Sequence, residues 1–543
     1  MRDRRLRGHR PLAVASVLAL CTLAACATVA LAGDPQPVDV SHNSVNAAAP
    51  VAGAVWGTAS NDTPGTAICS TTTSAAANVD TDCESTETTG SVGPHNETSI
   101  AINPTNVNNL IGGANDYQLS LNSGGHLTET ILSRAHVTFD GGKTWSEYPL
   151  NANSTYQAPG DPAVAFDASG HAYYATLGFR FAGLTVTNPD VIVSNSGDGG
   201  RNWTTVRVAL GSGTEGSTGD LLDKEYVAAW GNGNAIVTYG DFRLVQGSFT
   251  TAKIYASVTH DFGQSWTTPQ LISGNLDQAF VSTPVVAADG KIYVSFENTS
   301  DLTTGRDDYE VVRVDPATGA AIGSPVKVAT LIDGATDYPF SVDGPPTYQD
   351  SQFRTWAAGN IAADPRNASH LAVVWSDMRN STVPAPSDPY TAKTNSDVVV
   401  SQSFDGGRTW SAATALRLKG DQWMPWGVYD TTGKLRIGTF DRSGDRSNHA
   451  YDYTVATESR SGSLAFGTAP VTTVRSNPTT GNRWFARNVN AAFPRATAFI
   501  GDYSGIAATP TGGVVAYWTD LRNDVSFGGL TAKGEDAYFG RAN

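Results

Sequence analysis

The sequence of 543 residues has few charged residues, few sulfur-containing residues and only one long apolar run. Charged side chains make up 16% of the chain, against about 25% in an average globular protein, which excludes a coiled coil or a charged helical array. The nine histidines show no metal-ligand spacing, and no nucleophile-elbow or phosphate-loop motif occurs. Zinc-enzyme, serine-hydrolase and nucleotide-binding interpretations therefore have no support, and we expect no cofactor and no metal centre of those kinds.

Glycine and tryptophan are, by contrast, abundant, with 55 and 12 residues. Hydrophobic residues reach 40%, which is enough to build a core and excludes a disordered chain. Frequent glycines break the chain into short segments, as turns do between β-strands. The composition therefore predicts a large protein built from many short strands.

The long apolar run lies near the amino terminus. Residues 2–10 contain five arginines, and residues 11–32 are uncharged, mostly apolar, and end in Ala-Leu-Ala. This arrangement is typical of an export signal, so we expect residues 1–32 to be removed and the protein to be secreted. The Leu-Ala-Ala-Cys sequence ending at Cys26 resembles a lipoprotein cleavage site, which makes a lipid anchor at Cys26 the alternative. No later segment has the ~18 apolar residues of a membrane span.

Removal of that signal takes away five arginines and one aspartate, which changes the formal net charge from −15 to −19. So acidic a surface repels nucleic acid and excludes a polynucleotide partner. Cys69 and Cys83 then remain, and an exported chain favours a disulfide between them. We expect residues 33–92 to be a low-complexity extension held by this disulfide, with the apolar piece 51–56 as a candidate strand that closes the fold.

Two repeated patterns divide the rest of the chain. One is an apolar strand, a tight turn and a second apolar strand, whose seven copies have their turns at Asn103, Asp167, Gly231, Asp289, Asp364, Asp430 and Thr509. The other is Ser/Thr-x-Asp-x-Gly-x-x-Trp, in which aspartate accepts turn N–H groups and glycine supplies positive φ. Its four copies, which we call the Asp turns, have their aspartates at Asp140, Asp198, Asp261 and Asp405.

Four short strands in each ~68-residue repeat is the size of a propeller blade. The patterns therefore predict an all-β protein, a β-propeller of seven four-stranded antiparallel blades over residues 93–543. Because successive strands alternate in direction, the Asp turns share one face with the turns between first and second strands. The long connections lie on the other face, where we expect the functional site, and the Asp turns are expected to be structural.

Polar clusters gather on that second face. The residues before or at the start of first strands are Glu97, Asp161, Asp223, Lys224, Glu225, Gln422, Asp502 and Tyr503. The arginines in an Asp-x-Arg pattern after second strands are Arg243, Arg379 and Arg522. Arginine binds carboxylates bidentately, and nearby carboxyl groups can transfer protons. Two alternatives remain: the Asp-x-Arg pairs can hold neighbouring blades together, and the acids can bind a structural Ca²⁺.

The Asp turns, with the segments DKEY, QWMPW, WSDMR and FIGDYSG, resemble those of bacterial sialidase-like (neuraminidase) propellers, where such turns are called Asp boxes or BNR repeats. The resemblance covers residues 93–543 and implies an exo-glycosidase that removes terminal, sialic or otherwise acidic, sugars from a glycan or glycoconjugate. Sialidases have six blades, which is the alternative to seven. Related propellers include non-catalytic binders, so the alternative function is a secreted or envelope-attached propeller that binds glycan or protein through the same face.

Sialidases are retaining enzymes with a tyrosine nucleophile. By resemblance, Tyr503 is the nucleophile, Glu225 activates it, and Asp161 is the acid/base. The resemblance also implies substrate contacts, with a clamp of three arginines for a carboxylate, at Arg243, Arg379, Arg522, Asp502 and Gln422. The family's early Arg-Ile-Pro motif is missing, and the segments HNETSIAIN and GDPAVAF occupy that region.

Overall fold

The chain folds into a closed ring of seven antiparallel sheets. The computed structural model describes residues 63–83, 91–121, 127–132, 134–150, 156, 158–182, 185–214, 217–299, 307–332, 348, 353, 359–380, 395–478, 500–527 and 530–543. The expected export signal, Cys26 and the apolar piece 51–56 lie outside these residues. No α-helix occurs in the described part of the chain, and consequently no membrane-spanning helix was found there.

Each blade is a sheet of four strands, which follow one another from the axis outward. Blade 1 consists of His95–Ile102, Leu110–Leu121, Arg134–Thr138 and Ser146–Pro149. Blade 2 consists of Ala158–Phe166, Ala172–Phe179, Asp190–Ser196 and Thr204–Ala209. Blade 3 consists of Gly219–Trp230, Asn234–Val245, Ser248–Thr259 and Gln270–Leu271.

The remaining four blades follow the same order. Blade 4 consists of Ala279–Val286, Ile292–Asn298, Asp308–Val314 and Ala321–Thr330, and blade 5 of Asn360–Ala363, Leu371–Asp377, Asp397–Ser403 and Thr414–Ala415. Blade 6 consists of Gln422–Tyr429, Leu435–Asp441, Asp452–Glu458 and Phe466–Pro470, and blade 7 of Gly505–Ala508, Val514–Asp520, Asp536–Ala542 and Asn78–Asp80. Outside this plan lie the short strands Cys69–Ser70, Ser91–Val92, Leu127–Leu132, Phe181–Ala182, Thr185–Val186, Asp524–Phe527 and Leu530–Lys533.

The first strands of consecutive blades pack against one another all the way around, and the first strand of blade 7 packs on that of blade 1. The prediction of a seven-bladed, all-β propeller is therefore confirmed, and the six-bladed alternative is wrong. The blades adhere through apolar side chains because both faces of each sheet are covered by neighbours, as the fully buried strand Ala172–Phe179 illustrates.

The Asp turns have the geometry that their sequence predicts. At Asp405, the Ser403 hydroxyl donates to Oδ1 (2.9 Å), and the same oxygen accepts the backbone N–H groups of Arg408 (3.0 Å) and Thr409 (2.9 Å). The Thr409 hydroxyl donates to Oδ2 (2.7 Å), and this bond, together with those to Oδ1, lowers the pKa of Asp405 to about 2. The backbone N–H of Gly406 donates to the carbonyl of Ser369 in the first-to-second-strand turn of the same blade (3.0 Å), so the two kinds of turn share one face.

The ring is closed by the amino-terminal extension. Asn78–Asp80 pairs with the last strand, Asp536–Ala542, as the outer strand of blade 7. The proposed closing piece 51–56 is therefore not the strand at this position, which a shorter and less apolar segment fills. Cys69 pairs with Glu147 at the outer edge of blade 1, and the predicted Cys69–Cys83 disulfide is confirmed. The extension thus crosses from blade 1 to blade 7.

Val79 anchors the closing strand, because its side chain is 7% exposed and packs in one cluster with Trp145, Val515, Tyr517 and Phe539. Val79→Asp should lower the free energy of unfolding by about 3 kcal/mol or more, since a carboxyl group would be buried without a partner. Urea unfolding measures this change. The control is Val107→Asp, at a turn position 47% exposed, which should change stability by less than ~0.5 kcal/mol. Equal stability of both variants would contradict closure by this strand.

Candidate functional site

Irregularities in the first strands build the site at the axis. In five blades the pairing of the first with the second strand shifts near the strand's beginning. At each shift one non-glycine residue adopts a left-handed backbone: Glu97 (φ 56°), Asp161 (φ 54°), Lys224 (φ 52°), Val281 (φ 47°) and Met424 (φ 49°). Such bulges redirect side chains, and non-glycine residues adopt this conformation only where the surroundings hold them in it.

Three of the redirected side chains, those of Glu97, Asp161 and Lys224, meet around the ammonium group of Lys224. The Nζ atom of Lys224, from blade 3, lies 2.6 Å from Asp161 Oδ2 of blade 2, 2.8 Å from Asp502 Oδ2, next to blade 7, and 3.2 Å from Glu97 Oε1 of blade 1. All four side chains are at most 10% exposed. We call these residues, with Glu225 and Tyr503, the axial cluster.

Asn115, on the second strand of blade 1, fixes two of the acids. Its side-chain Nδ2 donates to Glu97 Oε2 (2.9 Å), and its Oδ1 accepts the backbone N–H of Asp161 (2.8 Å). Blades 1 and 2 are therefore joined at the axis through one amide side chain in addition to the ammonium of Lys224.

The charges of the cluster are unequal, with three carboxyl groups around one ammonium. Burial opposes the charge of Lys224, yet Asp161, Asp502 and Glu97 raise its pKa well above the usual value. Burial and the neighbouring charge of Asp161 also raise the pKa of Glu97, because one cation does not neutralise three anions. The ammonium of Lys224 lies among the acids for which the sequence allowed a structural Ca²⁺ site.

Glu225 differs from the other acids of the cluster. Its side chain is 1% exposed, and neither carboxyl oxygen has a hydrogen-bond partner on another described residue. Burial, and after it the charge of Asp161, raises the pKa of Glu225 well above the usual value. Glu225 is therefore a buried carboxyl group that retains its proton at higher pH than an exposed glutamate does.

Tyr503 lies beside the same group. Its hydroxyl donates to the carbonyl of Pro162 (3.1 Å), and Lys224 Nζ lies 5.6 Å from the centre of its ring. Burial raises the pKa of Tyr503 well above the usual value, and Glu97 and Glu225 act in the same direction. A narrow pocket with room for roughly one water molecule opens here, lined by Lys224, Tyr226, Phe280, Met424, Trp426 and Tyr503 among others.

Two of the three predicted clamp arginines are held by aspartates in their own blades. Arg379 donates from Nε to Asp377 Oδ1 (2.9 Å) and from Nη2 to Asp377 Oδ2 (2.6 Å), and Arg522 makes the same two bonds to Asp520 at the same distances. Each aspartate also accepts the indole N–H of the tryptophan two positions earlier. The motif is thus a self-contained Trp-x-Asp-x-Arg unit.

Each of the two arginines makes one further contact. Arg379 also donates to the carbonyl of Thr330 in the neighbouring blade 4 (3.1 Å), and Arg522 donates to Asn78 Oδ1 in the outer strand of its own blade 7 (3.2 Å). Arg243, 46% exposed, pairs with Asp220 of its own blade at 2.5 Å. These contacts favour the alternative in which Asp-x-Arg pairs hold strands and blades together.

The structure therefore brings Asp161, Glu225, Asp502 and Tyr503 together, and no described contact joins the three arginines to them. Gln422 also lies apart, donating to the carbonyl groups of Lys419 and Gly420 and to Asp441. The sequence patterns placed Glu97 and Lys224 among the polar clusters but gave neither residue a role of its own. The only signal in the sequence was the acidic neighbours of Lys224 along the chain, Asp223 and Glu225. They do not reveal that acids from distant parts of the chain surround its ammonium group.

Comparison with known proteins adds similarity of shape only. No protein-family model and no curated protein matches the chain. Among solved structures, a variant of the NanB sialidase of Streptococcus pneumoniae is similar at 8% identity and TM-score 0.41, over 88% of this chain and 99% of that one. A Hadza microbial sialidase is similar at 10% identity and TM-score 0.39, over 90% and 98%, and an ulvan lyase at 11% and 0.33, over 60% and 73%. Similarity this low carries no argument about activity.

Removing the central cation should destabilise the fold strongly. In Lys224→Met the buried acids lose their counter-charge, so we expect the free energy of unfolding at pH 7 to fall by about 3–5 kcal/mol. The loss should shrink as pH falls, because protonated acids no longer repel one another. The control is Lys253→Met, which removes a partly exposed pair with Asp277 and should cost at most ~1 kcal/mol. Urea titrations at several pH values measure both, and a pH-independent loss would contradict this account.

Proposed function

We propose that this chain is a carbohydrate-active propeller, an exported exo-glycosidase of sialidase type that acts at the axial cluster. The observation that carries the proposal is the Glu225 carboxyl group, buried and without a hydrogen-bond partner on another described residue. A buried, unpartnered acid lowers the stability of the fold, so its presence indicates that it serves another purpose. Strongly shifted carboxyl groups of this kind concentrate at catalytic sites.

The neighbouring Asp161 has the opposite environment. It accepts a 2.6 Å charge-assisted bond from Lys224, whereas Glu225 is buried without such a bond. Two carboxyl groups in unlike surroundings supply the acid and the anion that glycosidic bond cleavage requires. We therefore assign the role of proton donor to Glu225 and the role of the anion to Asp161. The resemblance had instead implied that Asp161 is the acid/base and that Glu225 activates Tyr503.

Tyr503 remains the candidate nucleophile. Its hydroxyl donates to a backbone carbonyl. Burial raises its pKa, and the charges of Asp161 and Glu225 act in the same direction, so a base must remove its proton before it can attack. The aromatic side chains of Tyr226 and Trp426, stacked with ring centres 5.2 Å apart, supply an apolar wall of the kind that sugar rings contact.

A second candidate function is glycan or protein binding without turnover, through the same face. It is favoured by the nearly complete burial of the cluster, with Asp161, Glu225 and Tyr503 at most 7% exposed. It is also favoured by the arginines, since Arg379 and Arg522 already have carboxylate partners.

Glu225→Gln tests the two candidates. Because Glu225 holds its proton, the amide should replace it without loss of stability, while turnover falls at least ~100-fold for lack of a general acid. Turnover is measured on a panel of aryl glycosides, including the aryl sialoside, with the chain from residue 33 onward. The matched control is Glu297→Gln in blade 4, another buried glutamate with an unpartnered oxygen and a raised pKa, which should leave turnover unchanged. Glycan binding without turnover in the unaltered protein would establish the second candidate.

The pH profile separates the roles of Glu225. As the proton donor it must be protonated, so turnover should fall as pH rises through its pKa, and that limb should lie above the ordinary glutamate value of 4.5. A turnover that instead rises with pH through this range would mean that Glu225 acts as the base for Tyr503. Tyr503→Phe should then abolish turnover and spare binding, whereas full turnover in that variant would exclude Tyr503 as the nucleophile.

A further inference from the structure

A second cluster of buried polar groups lies within blade 1. His95 stands on its first strand, Asp116 on its second and His136 on its third, and the three side chains are 2%, 2% and 0% exposed. Strand pairing sets His95 directly opposite Asp116. One nitrogen of each histidine and one oxygen of the aspartate all lie within 4.8 Å of one another.

Several of these atoms have no hydrogen-bond partner in the described part of the chain. They are Nδ1 of His95, Nε2 of His136 and Oδ2 of Asp116, whereas Nε2 of His95 is paired with Oδ1 of Asp116. The other nitrogen of His136, Nδ1, lies 2.8 Å from the hydroxyl of Tyr517 and 3.0 Å from that of Thr81. Hydroxyl groups that accept a proton from Nδ1 would orient the ring and leave Nε2 as the nitrogen available to a ligand, which is how metal-binding histidines are held in proteins.

The spacing fits a metal ion. His95 Nε2 and Asp116 Oδ1 are 3.2 Å apart, and the edge of a tetrahedron with ligand bonds of 2.0–2.1 Å is about 3.3 Å. Two imidazoles and one carboxylate are ligands that suit Zn²⁺ and similar transition ions better than Ca²⁺. The remaining position of the tetrahedron would take water or a further side chain.

The charges around the cluster also call for a cation. Asp82 Oδ2 lies 3.9 Å from His95 Nδ1, and Glu147 pairs with Arg134 at 3.1 Å. Together with Asp116 these side chains bring three carboxyl groups and one permanent cation into a buried region.

We propose that His95, Asp116 and His136 form a binding site for a divalent transition-metal ion of the Zn²⁺ type. The ion ties together the three inner strands of blade 1. Its site is separate from the axial cluster, and the proposal is independent of the proposed hydrolysis. Since Thr81 belongs to the extension and Tyr517 to blade 7, the groups that orient His136 lie at the ring closure. Bound metal should therefore stabilise the closure as well as blade 1.

The test uses the untagged chain from residue 33 onward, stripped with EDTA and freed of the chelator. We expect it to bind one equivalent of Zn²⁺, measured by elemental mass spectrometry and by competition with a chromophoric chelator, and to melt at a higher temperature with Zn²⁺ than without. Asp116→Asn and His136→Gln should each lower the affinity at least tenfold. His370→Gln is the matched control, because His370 is equally buried but has Asp364 and Tyr429 on its two ring nitrogens, both at 3.0 Å; it should bind Zn²⁺ as the unaltered chain does.

Cobalt substitution of the unaltered chain gives a readout that does not depend on the variants folding. Co²⁺ in the site should show the strong visible absorption of four-coordinate cobalt, and Zn²⁺ should abolish it. No Zn²⁺ binding at tens of micromolar, or no such cobalt spectrum, would overturn the proposal and leave an ion pair between His95 and Asp116. Unchanged Zn²⁺ affinity in Asp116→Asn and His136→Gln would overturn it as well, because the metal would then lie elsewhere.

Discussion

The ammonium of Lys224 is the point on which the architecture depends, because acids from or beside three other blades converge on it. Apolar contact between blades is non-directional and leaves them free to slide, whereas a buried ion contact has one good geometry. The left-handed residues Glu97, Asp161 and Lys224 are the conformational cost of that geometry. The site's chemistry has the same origin, since burial and the neighbouring charge of Asp161 raise the pKa values of Glu97 and Glu225.

Away from the axis, arginine–aspartate pairs also fix strands and blades relative to one another. Arg379 and Arg522 each bind an aspartate of their own blade through two hydrogen bonds. Arg379 also reaches an oxygen of blade 4, and Arg522 reaches the closing strand within blade 7. These units lie in blades 5 and 7, and the ammonium cluster joins blades 1, 2, 3 and 7. Polar contacts thus fix the relative position of blades at the axis and at the periphery, while the apolar interfaces between them supply most of the stabilisation.

The fold could be predicted from the sequence because its signals are local. A turn such as Ser403 to Trp410 is specified by its own hydroxyl, carboxylate and glycines, and each blade repeats a strand-turn-strand pattern. The closing strand could not be predicted, since Asn78–Asp80 has three residues and no periodicity. The contacts around Lys224 depend on bulges that leave no pattern in the sequence. The arginines suggested a clamp because their partners, Asp377 and Asp520, stand only two positions away, and spacing alone does not say whether such a pair is closed on itself.

The closing strand also determines when the ring can be completed. Asn78–Asp80 is synthesised long before its partner, Asp536–Ala542. The closing strand therefore cannot pair until the residues of all seven blades have been made. Contacts this distant in sequence make folding slow, and a chain interrupted before Asp536 would leave an open sheet edge in blade 7 exposed to other chains. Closure through two strands so far apart in sequence thus makes the outer edge of blade 7 sensitive to premature termination of the chain.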